Sequence, residues 1–287
     1  VTAEPAALRL EIWGARGTLP VAPDDPSRFG AKTCCVSVEA GGRMLIFDAG
    51  TGIVPLGNRI HAEKRREIDL FLGHAHYDHV MGLPYFAPFY DPACRIRIHA
   101  GHMQDGKTCR ELLADFLRPP FHPVGLEKFK AEIDYVTFRP GDRLDPAPGI
   151  TVATAPLRHP NGAVAYRAAA GGRSLVYATD HEHLPGSRDE ALERFLHDAD
   201  LLVYDTTYTD AEMPLFKGYG HSSYEEGIRL CRRAGIERLV LFHHSHKRSD
   251  ADLARIEAQA QAAFPGAVAG RPGLRFDLAP VADRLPA

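Results

Sequence analysis

The run "EIDLFLG" reads as an apolar strand, and the six residues that follow it, "HAHYDH", hold His74, His76, Asp78 and His79. A lone histidine is usually a satisfied core or surface residue. Four nitrogen and oxygen donors packed this tightly beside an apolar run need a shared partner for their lone pairs, and a metal ion is the economical one. The spacing is too tight for one tetrahedral ion to use all four easily. In an extended or tightly turning segment, His74 and His76 point one way while Asp78 and His79 point towards a second position. The string therefore reads as a split two-metal site. It differs from HExxH on a helix, where two histidines stack one turn apart. Neutral imidazole and carboxylate are borderline-to-hard donors that suit zinc, manganese or iron(II).

Two ions need further ligands, and strand tips are where to look for them. His159 follows "ATAPL", Asp180 ends "SLVYATD" and His243 ends "RLVLFH". A shared sheet edge would bring all three to the cluster, and a carboxylate such as Asp180, with two oxygens and one negative charge, is suited to bridging two cations. The neighbours His181, His183, His244 and His246 compete for the same assignments, because strand alternation in an unknown register does not decide which of two adjacent residues faces the site.

The rest of the chain repeats this strand-then-polar-tip plan. "LRLEIWG" alternates as a half-buried strand does, and "CCVSVEAGGRMLIFDAGTGI" reads as strand, Gly-Gly turn, strand and glycine-bounded loop. "GITVATAPLRHP", "VAYRAAAGGRSLVYATD" and "ADLLVYDTTY" continue the theme. "SYEEGIRLCRRAG" is an amphipathic helix stopped by Gly235, and "DADLARIEAQAQAAF" is a closing helix. Two β-sheets packed face to face with helices outside is the economical architecture, as one domain over residues 1–287. The Pro- and aromatic-rich stretch 83–136 suits a lid or pocket-wall insertion, with Tyr85, Phe86, Phe89, Tyr90 and Phe121 as an aromatic wall or as ordinary core. Arg16, in "WGARGT", is either a phosphate contact or a structural arginine.

Charge and cysteine usage narrow the class of partner. A formal net charge of -3 on 287 residues gives no whole-protein reason to expect nucleic acid or an anionic membrane. The five cysteines, Cys34, Cys35, Cys94, Cys109 and Cys231, show no CxxC spacing, and reduced buried thiols are expected. No run approaches the ~20 apolar residues of a membrane span. "VTAEPAALRL" lacks a basic segment followed by an apolar one, so the cytoplasm is the expected compartment.

Taken together, HAHYDH and the ordered His159, Asp180 and His243 resemble the signature of the metallo-β-lactamase-fold hydrolases, from "WGARGT" to "LFHHSHKRSD". The resemblance implies an α/β fold, the αββα four-layer sandwich with two mixed β-sheets and helices outside. It also implies two divalent ions, zinc first and manganese or iron as alternatives. His74, His76 and His159 would hold the first ion, Asp78, His79 and His243 the second, and Asp180 would bridge them. "KGYGHSS", followed by a helix and "LVLFHHS", is similar to the phosphodiesterase branch, which includes tRNA 3′-processing ribonucleases and cyclic-phosphate phosphodiesterases. In that branch a strand-end carboxylate pairs with the GHS histidine, which makes His221, steered by Asp205, the expected general acid. Asp78 counts as both ligand and catalytic residue. The hairpin resembles the cyclic-phosphate side more closely. Neither the basic, glycine-rich arm of the tRNA nucleases nor an extra cysteine-containing zinc site is apparent.

The expected activity is hydrolysis of a small or cyclic phosphodiester by a metal-bound hydroxide. A small-molecule substrate is expected, nucleic acid and membrane are not, and a homodimer is admitted as an assembly. The alternatives are a lactonase or β-lactamase-like acyl hydrolase and a non-catalytic metal-binding sensor on the same fold.

Overall fold

The computed structural model describes residues 6–22, 27–120, 122–184 and 186–281. The chain begins with β1 (Leu8–Gly14), the short β2 (Arg16–Gly17), β3 (Cys35–Ala40) and β4 (Arg43–Phe47). Gly41 and Gly42 both adopt positive φ, 53° and 83°, in the two-residue turn that pairs Ala40 with Arg43. Such a turn matches the twist of the flanking strands and excludes residues with a Cβ at little cost only to glycine. Helix α1 (Ile53–Ala62) leads to β5 (Glu67–Leu72), the single-turn α2 (Tyr77–Val80), β6 (Arg95–Ala100), α3 (Cys109–Phe116) and β7 (Glu132–Thr137). The second half runs β8 (Arg143–Ala147), β9 (Ile150–Leu157), β10 (Ala163–Ala170), β11 (Arg173–Ala178), α4 (Glu190–Leu196), β12 (Leu201–Asp205) and α5 (Tyr224–Ala234). It closes with β13 (Leu239–Phe242), β14 (His244–Ser245), α6 (Asp250–Ala263), β15 (Ala267–Ala269) and β16 (Arg275–Leu278).

Two seven-stranded sheets result, in the orders β16-β1-β3-β4-β5-β6-β7 and β15-β13-β12-β11-β10-β9-β8. Each is mixed. β1, β3 and β4 pair antiparallel and β4 to β7 parallel, while β8 to β11 pair antiparallel and β11, β12, β13 and β15 parallel. The residues that alternate inward from both sheets, such as Leu10, Val38, Phe47, Phe71, Tyr166, Tyr177 and Val240, form one core between them. The opposite face of the first sheet buries Ile46, Leu70 and Ile98 against α1 and α3, through Leu56, Ile60 and Leu113. The outer face of the second sheet packs Val176, Leu202 and Leu241 against Leu192, Ile228 and Ile256 of α4, α5 and α6. Three apolar layers between four structural ones make the αββα sandwich that the strand pattern implied.

The stretch 83–136 differs from a simple lid. It contributes β6 and β7 to the first sheet and buries Phe86 and Phe89, while α3 supplies Leu112 and Phe116 to the wall of the site cavity. The continuous apolar alternation of "RIRIHA" is short, and the prolines before it obscure its membership of the sheet. Nor is α6 the last element: β16 returns to pair antiparallel with β1. No described helix is long and apolar enough to cross a membrane.

Parallel pairing aligns the carboxyl ends of β4, β5, β11, β12 and β13 along one edge of the sandwich. Side chains just beyond these ends converge there, because the strands stop while the polar residues that follow need an aqueous or ionic environment. The functional cluster occupies this edge.

Candidate metal centre

The string HAHYDH changes conformation midway. His76 is extended, with φ -65° and ψ 152°, and the single turn of α2 begins at Tyr77. That switch divides the donors. His74, His76 and His159 bring one nitrogen each to within 4.8 Å of one another, and Asp78, His79 and His243 form a second group. Between them lies Asp180. Its Oδ1 is 3.9 Å from His74 Nε2, 3.9 Å from His159 Nε2 and 3.3 Å from His243 Nε2, while its Oδ2 is 3.2 Å from His79 Nε2. All seven residues expected as ligands thus meet at one place.

Backbone conformation helps to aim them. Asp48, Asp180 and His243, each at or just past a strand end, have φ of 60°, 62° and 59°. For residues with a Cβ the left-handed region costs roughly 1–2 kcal/mol, a strain typical of functional sites.

The donors fit divalent cations. Both ring nitrogens of buried His74, and Nε2 of buried His79, lack a hydrogen-bond partner among the described residues. Leaving such groups unpaired costs about 1–3 kcal/mol each unless something else takes their lone pairs. Burial, then the neighbouring His79, holds His74 well below the usual imidazole range, which keeps it neutral and able to donate to a metal. Burial likewise lowers His76 and His159, against the pull of Asp180. His79 and His243 go the other way. Burial would depress both, but Asp180 and the other carboxylates outweigh it, raising His79 well above its ordinary value and His243 to about 9. Asp78 and Asp180 are held far down by those same histidines despite their burial. The protons on His79 and His243 thus balance buried carboxylates, a duty that divalent ions would take over on displacing them.

Outside the donors lies a set of orienting contacts that the sequence reading did not single out. Asp48 accepts from Gly73 N–H at 2.6 Å, from Tyr177 O–H at 2.7 Å and from His79 Nδ1 at 2.7 Å. This is the carboxylate–histidine arrangement that fixes a ligand's tautomer and aims Nε2 at a metal. Thr207 Oγ1 lies 2.8 Å from His243 Nδ1, the Gly220 carbonyl accepts from His159 Nδ1 at 2.8 Å, and Thr18 N–H donates to Asp78 Oδ2 at 2.6 Å. Glu182 accepts from the backbone N–H groups of both Gly218 and Gly220, at 2.7 and 2.9 Å, and so fastens the loop that carries His221. A signal for Asp48 was present: "RMLIFD" ends like "LLVYD", an apolar strand with an aspartate at its tip.

His221 Nδ1 donates to Asp205 Oδ2 at 2.8 Å and lies 3.6 Å from Asp180 Oδ1. Asp205 is itself held by the N–H and O–H of Thr207 and by Asp180 N–H. With Nδ1 committed to an acceptor-only carboxylate, Nε2 is the ring nitrogen left for exchange. His221 lines a cavity of about 570 Å³ together with His76, Asp78, His159, Asp180 and His243.

The competing histidines are engaged elsewhere. His181 Nδ1 accepts from Arg158 N–H, His183 Nδ1 is 2.8 Å from Ser222 Oγ, and His244 Nε2 is 2.9 Å from the Gly270 carbonyl. His246 is outside the donor groups. Arg16 is structural: its guanidinium donates to the carbonyls of Gly30 and Arg248 and to Asp250. All five cysteines are free and buried, and Cys34 adjoins the Asp78, His79 and His243 group, its thiol donating to the Arg16 carbonyl at 3.4 Å. Among the described residues none of the anticipated aromatics lines the cavity. Phe86 and Phe89 are core, Tyr85 and Tyr90 face solvent elsewhere, and Phe121 lies outside the described residues. The cavity's aromatic residues are Tyr77, Phe116 and Tyr219.

Comparison with known proteins identifies the family and the fold. Residues 43–244 match the family model of the beta-lactamase superfamily domain. Ribonuclease Z of Haloferax volcanii is 27% identical over 303 residues, covering 91% of this chain and 91% of that protein. Ribonuclease Z of Gemmatimonas aurantiaca is 33% identical over 108 residues, a match that spans 38% of this chain and 32% of the relative. Among solved structures, the metallo-beta-lactamase fold protein YhfI from Bacillus subtilis superposes with a TM-score of 0.70 at 20% identity, covering 95% of this chain and 99% of that one.

Proposed function

The chain belongs to the beta-lactamase superfamily, and on that premise we propose that it is a dinuclear metal-dependent phosphodiesterase acting on small phosphodiesters, cyclic ones included. At the coarser level it is a metal-dependent hydrolase of phosphodiester bonds, as its ribonuclease Z relatives are named for RNA. His74, His76 and His159 would hold one ion, Asp78, His79 and His243 the other, with Asp180 between them. Two ions so held would supply Lewis acidity towards a phosphoryl oxygen and lower the pKa of water towards ~7. The all-imidazole and carboxylate donor set suits zinc, and manganese or iron next.

The observation that carries the reading is the His221–Asp205 pair beside Asp180. Cleaving a phosphodiester with an alkoxide leaving group needs a proton at the departing oxygen. Asp205 holds Nδ1–H of His221 and so would stabilise the imidazolium form, whose Nε2–H delivers the proton, a contribution of roughly 10²–10⁴ in rate.

A second reading, processing of RNA, is favoured by the relatives' name, which weighs against the expectation of a small molecule in place of nucleic acid. Against it stands the charge of the cavity. Among the described lining residues Lys107 is the single lysine or arginine, and it is paired with Asp115 at 2.8 Å. Grip on a long polyanion needs several such cations along its path.

Turnover of bis(p-nitrophenyl) phosphate, a lactone, a β-lactam and a precursor tRNA, with metal content measured on the same sample, tests the proposal. Diester cleavage requiring about two ions per chain, without tRNA cleavage, is the expected outcome. Acyl turnover alone moves the function to carbonyl chemistry, tRNA cleavage makes RNA the substrate, and bound metal without any turnover makes the protein a sensor.

A further inference from the structure

Two of the most exposed large side chains of this protein stand on the rim of the site. Tyr77 is 69% exposed and Tyr219 61%, and both line the cavity whose floor is the histidine–aspartate cluster. Single exposed tyrosines are unremarkable. These two differ in flanking one polar floor, and Tyr219 is also held by its neighbours.

Tyr77 lies between His76 and Asp78 at the first position of α2, so its backbone sits between the two donor groups. Tyr219 is braced from behind. Its ring meets Phe216 edge-on, with centroids 5.7 Å apart and an interplanar angle of 89°. Phe216 stacks on Tyr208 at 4.3 Å and 2°, and Tyr208 meets His221 edge-on at 5.9 Å. A column of rings therefore links the outermost tyrosine to the proposed general acid. The loop that carries it is fastened by Glu182 through Gly218 and Gly220. Held this way, the Tyr219 ring presents an apolar face with less ordering entropy left to lose on binding.

Among the described lining residues Lys107 is the single lysine or arginine, and it is paired with Asp115. Apolar faces are then a main resource for recognition beyond the phosphate. A volume of about 570 Å³ lies in the range of small-molecule sites and admits a mononucleotide-sized molecule. We infer that Tyr77 and Tyr219 form an aromatic rim that stacks the base of a small nucleoside phosphodiester while its phosphate lies on the histidine–aspartate floor. The inference rests on the phosphodiesterase reading and narrows its substrate class to diesters that bear a planar ring.

The test uses the metal-loaded protein and two phosphate monoesters as probes, adenosine 5′-monophosphate and ribose 5-phosphate, which differ by the base. Affinities are measured by titration calorimetry for the wild type, Tyr77→Ala, Tyr219→Ala and the two Phe variants, with metal content checked on each. The adenosine compound is expected to bind roughly 10- to 100-fold more tightly than ribose 5-phosphate, the range that one stacked base supplies. Each Ala variant should lose most of that preference without weakening ribose 5-phosphate, and each Phe variant should keep it. Equal affinities in the wild type, an Ala effect common to both probes, or no binding of either would overturn the aromatic rim.

Hydrolysis of bis(p-nitrophenyl) phosphate by the same wild-type sample separates the two claims. Hydrolysis without base preference defeats the rim alone, whereas base preference without hydrolysis of any diester defeats the phosphodiesterase reading alone.

Discussion

Replacing Asp48 by Asn tests whether a residue that touches no expected metal position nonetheless controls one. Asp48 is fully buried, and its Oδ2 accepts from both Tyr177 O–H and His79 Nδ1 while its Oδ1 accepts from Gly73 N–H. In the Asn variant the amide oxygen can satisfy Gly73, and the amide NH₂ then faces His79 Nδ1. That contact is favourable only if Nδ1 becomes an acceptor, which moves the ring proton to Nε2 and removes the lone pair that faces Asp78 and Asp180. Loss of such an orienting carboxylate typically costs 10–100-fold in metal affinity, or ~1.4–2.8 kcal/mol. The ion at Asp78, His79 and His243 should be the more affected, because the ligand that Asp48 hydrogen-bonds is His79. Asn is more informative than Ala. Asp48→Ala would strand three buried donors at roughly 1–3 kcal/mol each, enough to unfold a chain whose whole stability is about 5–15 kcal/mol. The assay is equilibrium competition with a chromogenic chelator, read as two stepwise affinities, on protein shown by circular dichroism to be folded. Two unchanged affinities in Asp48→Asn would refute the argument that this carboxylate sets the His79 tautomer.

Three other outcomes follow from the same contacts. His221→Ala and Asp205→Asn should bind metal normally yet lose roughly 10²–10⁴ in kcat on a diester with a poor leaving group, and much less on a nitrophenyl diester whose leaving group needs no proton; equal losses on both would exclude general-acid catalysis. Gly220→Ala should weaken metal binding at the position of His74, His76 and His159 by roughly 10–100-fold, since a Cβ there would lie 2.1 Å from His159 Nδ1 on a backbone with φ +82°; an unchanged pair of affinities contradicts it. Chelator-treated protein should lose thermal stability as pH rises from about 6.5 to about 9. His243 holds its proton more tightly folded than unfolded, so its contribution is complete below the ordinary value of 6.5 and vanishes as pH passes through about 9. Zinc-loaded protein should show no such slope, and a metal-free Tm that is flat or rising across that window would be the contrary result.

Much of this site was legible because strands advertise their ends. "LLVYD", "SLVYATD" and "RLVLFH" each carry an apolar run into a polar residue, and parallel pairing puts such tips along one edge. What pairs with what at that edge is long-range information. Asp48 ends its strand in the same way, but its role depends on a histidine 31 residues later in the chain. His244 and His243 differ by one position, and only the φ of 59° at His243, followed by the bridge of His244 to Arg16, turns one ring to the metals and the other to Gly270. β16 was invisible because its four residues acquire meaning only from pairing with β1 at the opposite end of the chain. The aromatic wall was sought among residues near one another in sequence, whereas the cavity draws Tyr77 from α2 and Tyr219 from the loop before α5.

The central claim is that one edge of the sandwich holds two cations in two separate donor sets. Anomalous diffraction from zinc-loaded crystals measures this directly. The account predicts two peaks ~3.5–4 Å apart, one bonded to His74, His76 and His159, the other to Asp78, His79 and His243, with Asp180 touching both. A single peak, or a second peak away from Asp78, His79 and His243, would contradict it.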